Sequence, residues 1–336
     1  MLILGSALMA GAGVVFAFTS NYALLLLAGT IGVIAPSDKD IGPFLSIEQA
    51  ALSQLVPDKE RTKSFAWYNL AGSFASATGS LACGSLVGFL QSQPALPIDP
   101  YRIVVVFYAF CGLVLLVMFR FLSPSVEVSQ RPDRTGNRSF ALHESRGVVM
   151  KLSSLFAIDA FAGGFIVQSM IAYWFHLKFG VSPSTLGGIF FGANILAGLS
   201  ALSAARLAAK FGLINTMVYT HVPSSVLLIL VPLMPNLTMA IIMLLLRFAI
   251  SQMDVPTRQS YTMAVVRPEE RSAASGVTNV VRSVGASIAP ALCGRLLASP
   301  SLMSVPFFLA GGLKIIYDFI LFRSFRGIHP PEEEKS

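Results

Sequence analysis

Charged side chains interrupt an apolar run near the start of this sequence. The run 22–56 contains Asp38, Lys39 and Asp40 in the stretch PSDKDIGPF, followed by Glu48. At the centre of a membrane helix each charge costs about 2.5–3.5 kcal/mol, so four charges cost about 12 kcal/mol. Inserting the fourteen Leu, Ile, Val and Phe residues of the run is favourable by only about 7 kcal/mol. The charges must therefore face a watery cavity, pair with one another or lie near the membrane surface.

Acids also lie in two later apolar runs, at Asp159 and Asp254. An acid that faces a cavity from an apolar helix is desolvated, which favours its protonated form and lets it carry a proton. Asp159 is also close to the start of its run, so the alternative is an acid at a helix start. We predict a substrate and ion pathway made of these acids and of neighbouring charged and amide residues: Asp38, Lys39, Asp40, Glu48, Gln49, Asp159, Gln168, Asn194, Asp254, Arg258 and Gln259.

The composition indicates which elements position these residues. The mean hydropathy is +0.70, and 12% of the 336 residues are charged, against about 25% in an average soluble protein. Strand-like alternation is absent, so helices must satisfy the backbone in lipid. We predict an all-α, polytopic transmembrane bundle of about ten helices, at 2–18, 22–56 (interrupted), 65–90, 101–122, 152–177, 184–205, 213–232, 237–266, 273–298 and 303–322.

The basic residues predict the orientation of the bundle. Sixteen of the 24 Lys and Arg fall in loops or ends on one side, and only Arg102 and Lys178 fall in loops on the other. Positively charged loops stay in the cytoplasm, so both termini are predicted to be cytoplasmic, most simply in the cell membrane. The net charge of +7 therefore reflects topology, and we expect no nucleic-acid partner.

One long polar stretch divides the ten segments into four and six. It reads SPSVEVSQRPDRTGNRSFALHESRG and has too few apolar residues to form a core. We therefore predict a helical half at 1–122, a cytoplasmic linker at 123–150, a six-helix half at 151–322 and a cytoplasmic tail at 323–336. On the last segment, Lys314 and Asp318 are four residues apart and are predicted to neutralise each other.

An internal repeat relates the two halves. Shifted by 210 residues, 48–86 matches 258–296 with nine identities in 39 positions, which include the Glu-Arg pairs at 60–61 and 270–271. Asn21 matches Asn236 at an offset of 215, so five extra residues enter the first half, and Pro36–Asp40 is the place we assign to them. Either a broken helix lines a cavity there, or the chain makes an excursion near the outer surface.

The repeat also brings Glu48 into register with Arg258. A carboxylate and a guanidinium at equivalent positions can meet across a central cavity and separate as the halves rock. The alternative is that each residue finds local partners.

Several segments resemble permeases of the major facilitator superfamily, efflux-type members in particular. They are SLFAIDAFAGGFIVQSMIAYWFHLKFG, DVPTRQSYTMAVVRPEERSAASGVTNVVRSVGASIAPALCGRLL and GPFLSIEQAALSQLVPDKERTKSFAWYNLAGSF. The resemblance covers nearly the whole chain and implies two helical halves, with helices three to twelve present and the first two missing. ARLAAKFGLI is similar to the family's G-x-L-x-D-R-x-G-R loop, with Ala209 in place of the acid, and the antiporter signature G-x-x-x-G-P-x-x-G-G is absent from 65–90.

The family resemblance also implies loops that control conformation. We predict that the paired Glu-Arg loops and the signature-like loop contribute to this gating, through Glu60, Arg61, Arg206, Lys210, Glu270 and Arg271.

The sequence therefore favours a secondary transporter that moves a small molecule by alternating access, with proton-coupled efflux as the specific form. The alternative is a non-transporting membrane protein, a truncated or degenerate relative that acts as a scaffold or is a fragment. A Walker A loop and a G-x-S-x-G nucleophile are absent, so we expect neither ATP-driven transport nor an enzyme. We expect no cofactor or metal, and we expect a monomer whose partners are the solute, protons and the lipid bilayer.

Overall fold

The protein is an assembly of helices. The computed structural model describes residues 2–32, 48, 52, 56–57, 60–93, 99–121, 142, 144–267 and 270–327. Within these ranges the regular structure is helical, without a strand. The predicted all-α fold is therefore confirmed.

The described residues form twelve α-helices, which we number in chain order. They are α1 (Leu2–Phe18), α2 (Tyr22–Ile31), α3 (Arg61–Gln91), α4 (Pro100–Arg120), α5 (Arg146–Gly164), α6 (Gln168–Phe179), α7 (Pro183–Phe211), α8 (Leu213–Leu230), α9 (Leu237–Ser251), α10 (Asp254–Ala264), α11 (Arg271–Leu297) and α12 (Val305–Phe325).

These helices account for the ten predicted segments. Two pairs, α5 with α6 and α9 with α10, each form one interrupted span, at Arg146–Phe179 and Leu237–Ala264. Among the described residues, eight spans are long and apolar enough to cross a bilayer, and α1 and α2 are shorter apolar helices. The predicted break at Pro36–Asp40, most of the predicted linker and the end of the tail lie outside the described residues. The boundaries of the two halves remain predictions.

The repeat seen in the sequence recurs in the helix starts. Arg61 and Arg271, 210 residues apart, are the first residues of α3 and α11. Asn21 and Asn236 are the N-caps of α2 and α9, where their side chains accept hydrogen bonds from the backbone N–H groups of Ala23 and Met239 respectively. An asparagine in this role satisfies donors that a helix start leaves unpaired. The offset of 210 residues therefore relates the starts of α3 and α11, and the offset of 215 residues relates those of α2 and α9.

The two halves meet most extensively where α3 packs against α7. Glycines bring these helices close together: a Cβ atom on Gly84 would lie 2.7 Å from the carbonyl oxygen of Pro183, and one on Gly187 would lie 2.8 Å from that of Ser80. Small residues allow this approach in membrane helices, where close packing drives association. Helix α3 also packs on α10, and within the second half α5 packs on α11 and α8 on α12.

Candidate functional site

A cavity of about 240 Å³ lies between α3 and the helices of the second half. Both helix interruptions open onto it: Gly164 and Val167 line it at the break between α5 and α6, and Ser251 and Gln252 at the break between α9 and α10. Irregular backbone inside a membrane span is tolerated where it lines such a cavity. Neither of these breaks was predicted from the sequence.

Asp159 is the centre of a buried cluster of charges beside the cavity. Its side chain is on α5 and is 6% exposed. One carboxylate oxygen accepts a hydrogen bond from Lys314 Nζ at 2.6 Å, and the other accepts one from Arg258 Nη1 at 2.9 Å and one from Arg282 Nη1 at 3.4 Å. These cations come from α12, α10 and α11, so a single carboxylate joins four helices of the second half.

Two further carboxylates complete the cluster. Asp254 lies 3.4 Å from Arg258, one turn away on α10. Asp318 is 1% exposed, and His221 Nδ1 lies 2.9 Å from both of its oxygen atoms. On its other side, His221 Nε2 lies 3.4 Å from Lys314 Nζ. Lys314 and Asp318 were expected to neutralise each other, but they contact opposite nitrogen atoms of His221, and Lys314 forms its ion pair with Asp159.

Arg247, on α9, differs from the other cations of the cavity. It lines the cavity and is 8% exposed, and its buried Nε atom has no hydrogen-bond partner within the described part of the chain. Its guanidinium carbon lies 5.2 Å from the ring of Phe248, a contact that contributes at most about 2 kcal/mol. Burying a charge costs several kcal/mol even after the protein relaxes. The ring therefore offsets only part of the cost of burying this guanidinium.

Amide and hydroxyl side chains connect the cavity to α3. Asn69 Nδ2 donates to Gln259 Oε1 at 3.0 Å, and closer to the start of α3 the Thr62 hydroxyl donates to Ser260 Oγ at 2.7 Å. Gln168 donates to Ser80 Oγ at 3.1 Å and accepts from Asn194 Nδ2 at 3.1 Å. Gln168, Asn194 and Gln259 thus form hydrogen bonds near the contact between the two halves.

The predicted pathway residues are only partly brought together. Asp159 and Asp254 each form an ion pair with Arg258. Glu48 instead accepts a hydrogen bond from the Tyr68 hydroxyl, and the described contacts of Glu48 and Arg258 do not join the two residues. Their gating pair remains a prediction for another conformation. Four further predicted residues lie outside the described residues: Asp38, Lys39, Asp40 and Gln49.

The predicted gating loops have two kinds of environment. Glu60, Arg206 and Lys210 are exposed, whereas Arg61 is buried. Glu270 accepts hydrogen bonds from the backbone N–H groups of Glu144 and Ser145, at 3.2 and 3.0 Å, directly before α5. Arg271 Nε donates to the carbonyl oxygen of Met263 at 2.9 Å. The second Glu-Arg pair therefore ties together the loops around α5, α10 and α11.

Sequence reasoning missed five members of the site, one of which, Asp318, was predicted only to neutralise Lys314. Arg247, Arg282 and Lys314 were visible as cations inside apolar segments, and this signal was sufficient to nominate them. His221 had no acidic or second histidine neighbour at a useful spacing, because its partner Asp318 is 97 residues away.

Comparison with known proteins identifies the family of this architecture. The family model for the Major Facilitator Superfamily matches residues 1–290 and 178–336. The chain therefore belongs to the major facilitator superfamily, a family of membrane transporters.

One relative and three solved structures are informative. Over 358 aligned residues the chain is 29% identical to an uncharacterized membrane protein of Saccharomyces cerevisiae, and the alignment covers 98% of this chain and 80% of that protein. The human organic anion transporter TETRAN has a TM-score of 0.65 at 16% identity, covering 95% of this chain and 76% of that one.

The fucose:proton symporter of E. coli has a TM-score of 0.62 at 13% identity, and the match covers 96% of this chain and 82% of the symporter. A bacterial homologue of the iron transporter ferroportin, in an outward-facing state, has a TM-score of 0.63 at 15% identity, again with 96% and 82% covered. At these identities the likeness shows the shared fold.

Proposed function

We propose that this protein is a secondary transporter whose two helical halves give a small solute alternating access to the cavity, with protons as the coupling ion and export as the direction. The observation that carries this proposal is the buried cluster around Asp159, which joins four membrane helices beside a cavity that also contacts α3. Ionisable residues inside membrane spans are expensive and mark ion or substrate pathways. Export rests on the resemblance of the quoted segments to efflux-type permeases.

Proton coupling follows from what the cluster would lose on protonation. A proton on Asp159 would remove the charge that holds its three cationic partners, so proton binding and a rearrangement of their helices would be linked. Within the described residues, the charged and titratable groups around Asp159 are Asp254 and Arg258 from α10, Arg282 from α11, Lys314, Tyr317 and Asp318 from α12, and His221 from α8.

The predicted topology completes the proposal. A monomer in the cell membrane with both termini in the cytoplasm places the starts of α3, α5 and α11 on the inner side, where positively charged loops belong. Solute and protons would then exchange between the cavity and each side in turn, as the contact of α3 with α7 and α10 rearranges.

The transport step can be tested without a proton gradient. A thermal-shift screen of small organic solutes would first select those that raise the melting temperature, since a ligand that binds only the folded protein stabilises it. Proteoliposomes loaded with an unlabelled stabilising solute should then take up the labelled solute by counterflow. If none of the stabilising solutes shows counterflow, the protein is a non-transporting member of the family.

Coupling and direction need a second measurement. In inside-out vesicles, proton-coupled export predicts that an acidic interior drives solute accumulation. Asp159→Asn should abolish the accumulation, whereas Asp99→Asn should not, because Asp99 is an exposed N-cap residue of α4 and asparagine also caps helices well. If accumulation changes neither with the internal pH nor with Asp159→Asn, proton coupling is contradicted, whereas the transport proposal is not.

A further inference from the structure

The cavity contains a buried guanidinium that forms no direct ion pair with the described carboxylates. Arg247 lines the cavity at 8% exposure, and its Nε atom has no hydrogen-bond partner among the described residues. Asp254 interacts with it electrostatically, but the ion pair of Asp254 is with Arg258. A buried charge is stable when an opposite charge pairs with it and satisfies its donors. Among the described residues, no carboxylate is in direct contact with Arg247, so an anion could pair with its guanidinium there.

The charge balance of the cluster indicates the charge of that anion. Arg247, Arg258, Arg282 and Lys314 are four permanent cations, and Asp159, Asp254 and Asp318 are three carboxylates. Lys314 Nζ, which can only donate, lies 3.4 Å from His221 Nε2, so His221 accepts there and is counted as a neutral imidazole, which leaves one positive charge. Lys314, Arg258 and Arg282 each contact Asp159, whereas none of the described ion pairs includes Arg247, so Arg247 is the cation of this group without a directly contacting carboxylate. One negative charge would neutralise the described cluster.

The other side chains that line the cavity indicate the remaining chemistry of the ligand. Phe248 packs on the guanidinium and lines the cavity together with Phe156 and Ile171. Gln168 and Gln252 add amide groups to the same lining. The volume of 240 Å³ is below the range of about 300–1,000 Å³ for sites that hold drug-sized ligands. An apolar wall beside a fork of N–H donors suits a small organic acid better than a fully hydrated inorganic anion.

We propose that Arg247 is the anion-binding residue of the substrate site and that the substrate is a small organic monoanion whose carboxylate pairs with the guanidinium. This inference rests on the proposed transport function and specifies its substrate class. Arg247 is suited to the role because a planar guanidinium binds a carboxylate through two parallel hydrogen bonds.

Binding to the full-length protein in nanodiscs tests the inference with defined probes. Acetate, pyruvate and benzoate are monocarboxylates of increasing size, and benzamide and benzylamine are neutral and cationic counterparts of benzoate. At constant ionic strength we expect at least one monocarboxylate to raise the melting temperature, and we expect benzamide and benzylamine to leave it unchanged. No response to any monocarboxylate would overturn the inference, as would an equal response to phosphate or sulfate.

Variants assign the binding to Arg247. Arg247→Gln should weaken monocarboxylate binding by about 10- to 100-fold, the equivalent of one charge-assisted hydrogen-bonded contact. Arg247→Lys should weaken it less, because the charge remains and only the fork is lost. Arg323→Gln is the matched control, since Arg323 is exposed at the end of α12 and does not line the cavity. Equal binding by wild type and Arg247→Gln would contradict the assignment.

The ligand-free protein provides an independent readout. Arg247→Met removes a buried cation that has no directly contacting carboxylate in the described part of the chain, and it keeps a long apolar side chain, so we expect the melting temperature without ligand to rise. An arginine with a merely structural role would give the opposite result, and a fall in melting temperature would overturn the proposal.

Different results would contradict the proposed transport function and the proposed anion site at Arg247. Monocarboxylate binding that depends on Arg247, without counterflow, would contradict transport alone. Counterflow of a neutral or cationic solute that does not depend on Arg247 would contradict the anion site alone.

Discussion

At the scale of single residues, Asp159 has more cationic partners than one carboxylate can neutralise. Lys314, Arg258 and Arg282 all contact it, at 2.6, 2.9 and 3.4 Å. Breaking a buried ion pair by removing one partner costs about 3–5 kcal/mol, because an uncompensated charge remains. Here three cations would lose the carboxylate that they share, so the stability of the second half depends strongly on Asp159.

Asp159→Asn should therefore lower the free energy of unfolding by about 3–5 kcal/mol, measured by SDS titration in detergent. Asp254→Asn should cost less, about 1–3 kcal/mol, because Asp254 contacts Arg258 at 3.4 Å and Arg258 keeps its contact with Asp159.

Adding Lys314→Met to Asp159→Asn should restore part of the loss, since it removes one of the stranded cations. An Asp159→Asn protein as stable as Asp99→Asn would show that the cluster does not stabilise the fold.

The sequence identified individual charged residues of this site, but it could not show which of them contact each other. Asp159 and Arg258 were predicted because a charge in an apolar run is expensive wherever the run lies in the membrane. Their contact spans 99 residues and depends on how α5 and α10 are rotated about their axes. The His221–Asp318 contact depends in the same way on the packing of α8 against α12, so sequence spacing gave no sign of it.

At the scale of helices, the glycine-lined contact of α3 with α7 controls how closely the two halves approach. In Gly84→Ala the added Cβ would lie 2.7 Å from a carbonyl oxygen and 2.8 Å from the Cα atom of Gly187. Both obstacles are backbone atoms, which cannot turn aside. We expect a loss of about 1–3 kcal/mol in the free energy of unfolding, the usual cost of overpacking.

Gly79→Ala is the control in the same helix, because a Cβ on Gly79 would meet nothing within 4 Å. It should be neutral or stabilise α3 by up to about 1 kcal/mol through its helix propensity. Equal stabilities for the two alanine variants would contradict the close approach of α3 and α7.

Glu270, which directly precedes α11, stabilises the start of a different helix, α5. Its carboxylate accepts hydrogen bonds from the N–H groups of Glu144 and Ser145 at the start of α5, where negative charge is favourable. Glu270→Ala should increase amide hydrogen exchange in 144–149 by about tenfold, the lower end expected for lost hydrogen bonds to a charged group. Mass spectrometry of peptides from this region would measure the change.

Glu60→Ala provides the comparison for Glu270→Ala. Glu60 precedes α3 as Glu270 precedes α11, but its side chain is exposed and makes no cap hydrogen bond with α3. Exchange at the start of α3 should therefore stay unchanged. Protection of α5 that survives Glu270→Ala would mean that other contacts hold this helix start.

The helices themselves were more predictable than their interruptions. Each of the ten predicted segments contains a helix in the structure, because a long apolar run can satisfy its backbone in lipid only as a helix. The breaks between α5 and α6 and between α9 and α10 lie inside such runs, and hydropathy does not detect them. Gly164, the last residue of α5, packs closely on α11: a Cβ at this position would lie 2.6 Å from the carbonyl oxygen of Ala286.

At the scale of the whole molecule, the structure places the charge cluster in the second half and provides α3 as the helix through which the first half reaches it. Thr62 and Asn69 of α3 bond to Ser260 and Gln259 of α10. These hydrogen bonds lie near the starts of α3 and α11, at the end predicted to be cytoplasmic. Alternating access through the cavity requires the contact to open in part of the cycle.

A cross-link between α3 and α10 should therefore stop transport. In a background without Cys83, Cys111 and Cys293, we expect Thr62→Cys with Ser260→Cys to be joined by a short bis-methanethiosulfonate reagent, which links the two thiols through reducible disulfide bonds, because the two wild-type hydroxyl oxygens lie 2.7 Å apart. Counterflow should fall to the level of empty liposomes, because the halves can no longer separate at this end, and reduction should restore it. Each single-cysteine variant, treated identically, should keep its counterflow. A cross-linked protein that still exchanges solute would show that the contact between α3 and α10 does not open during the transport cycle.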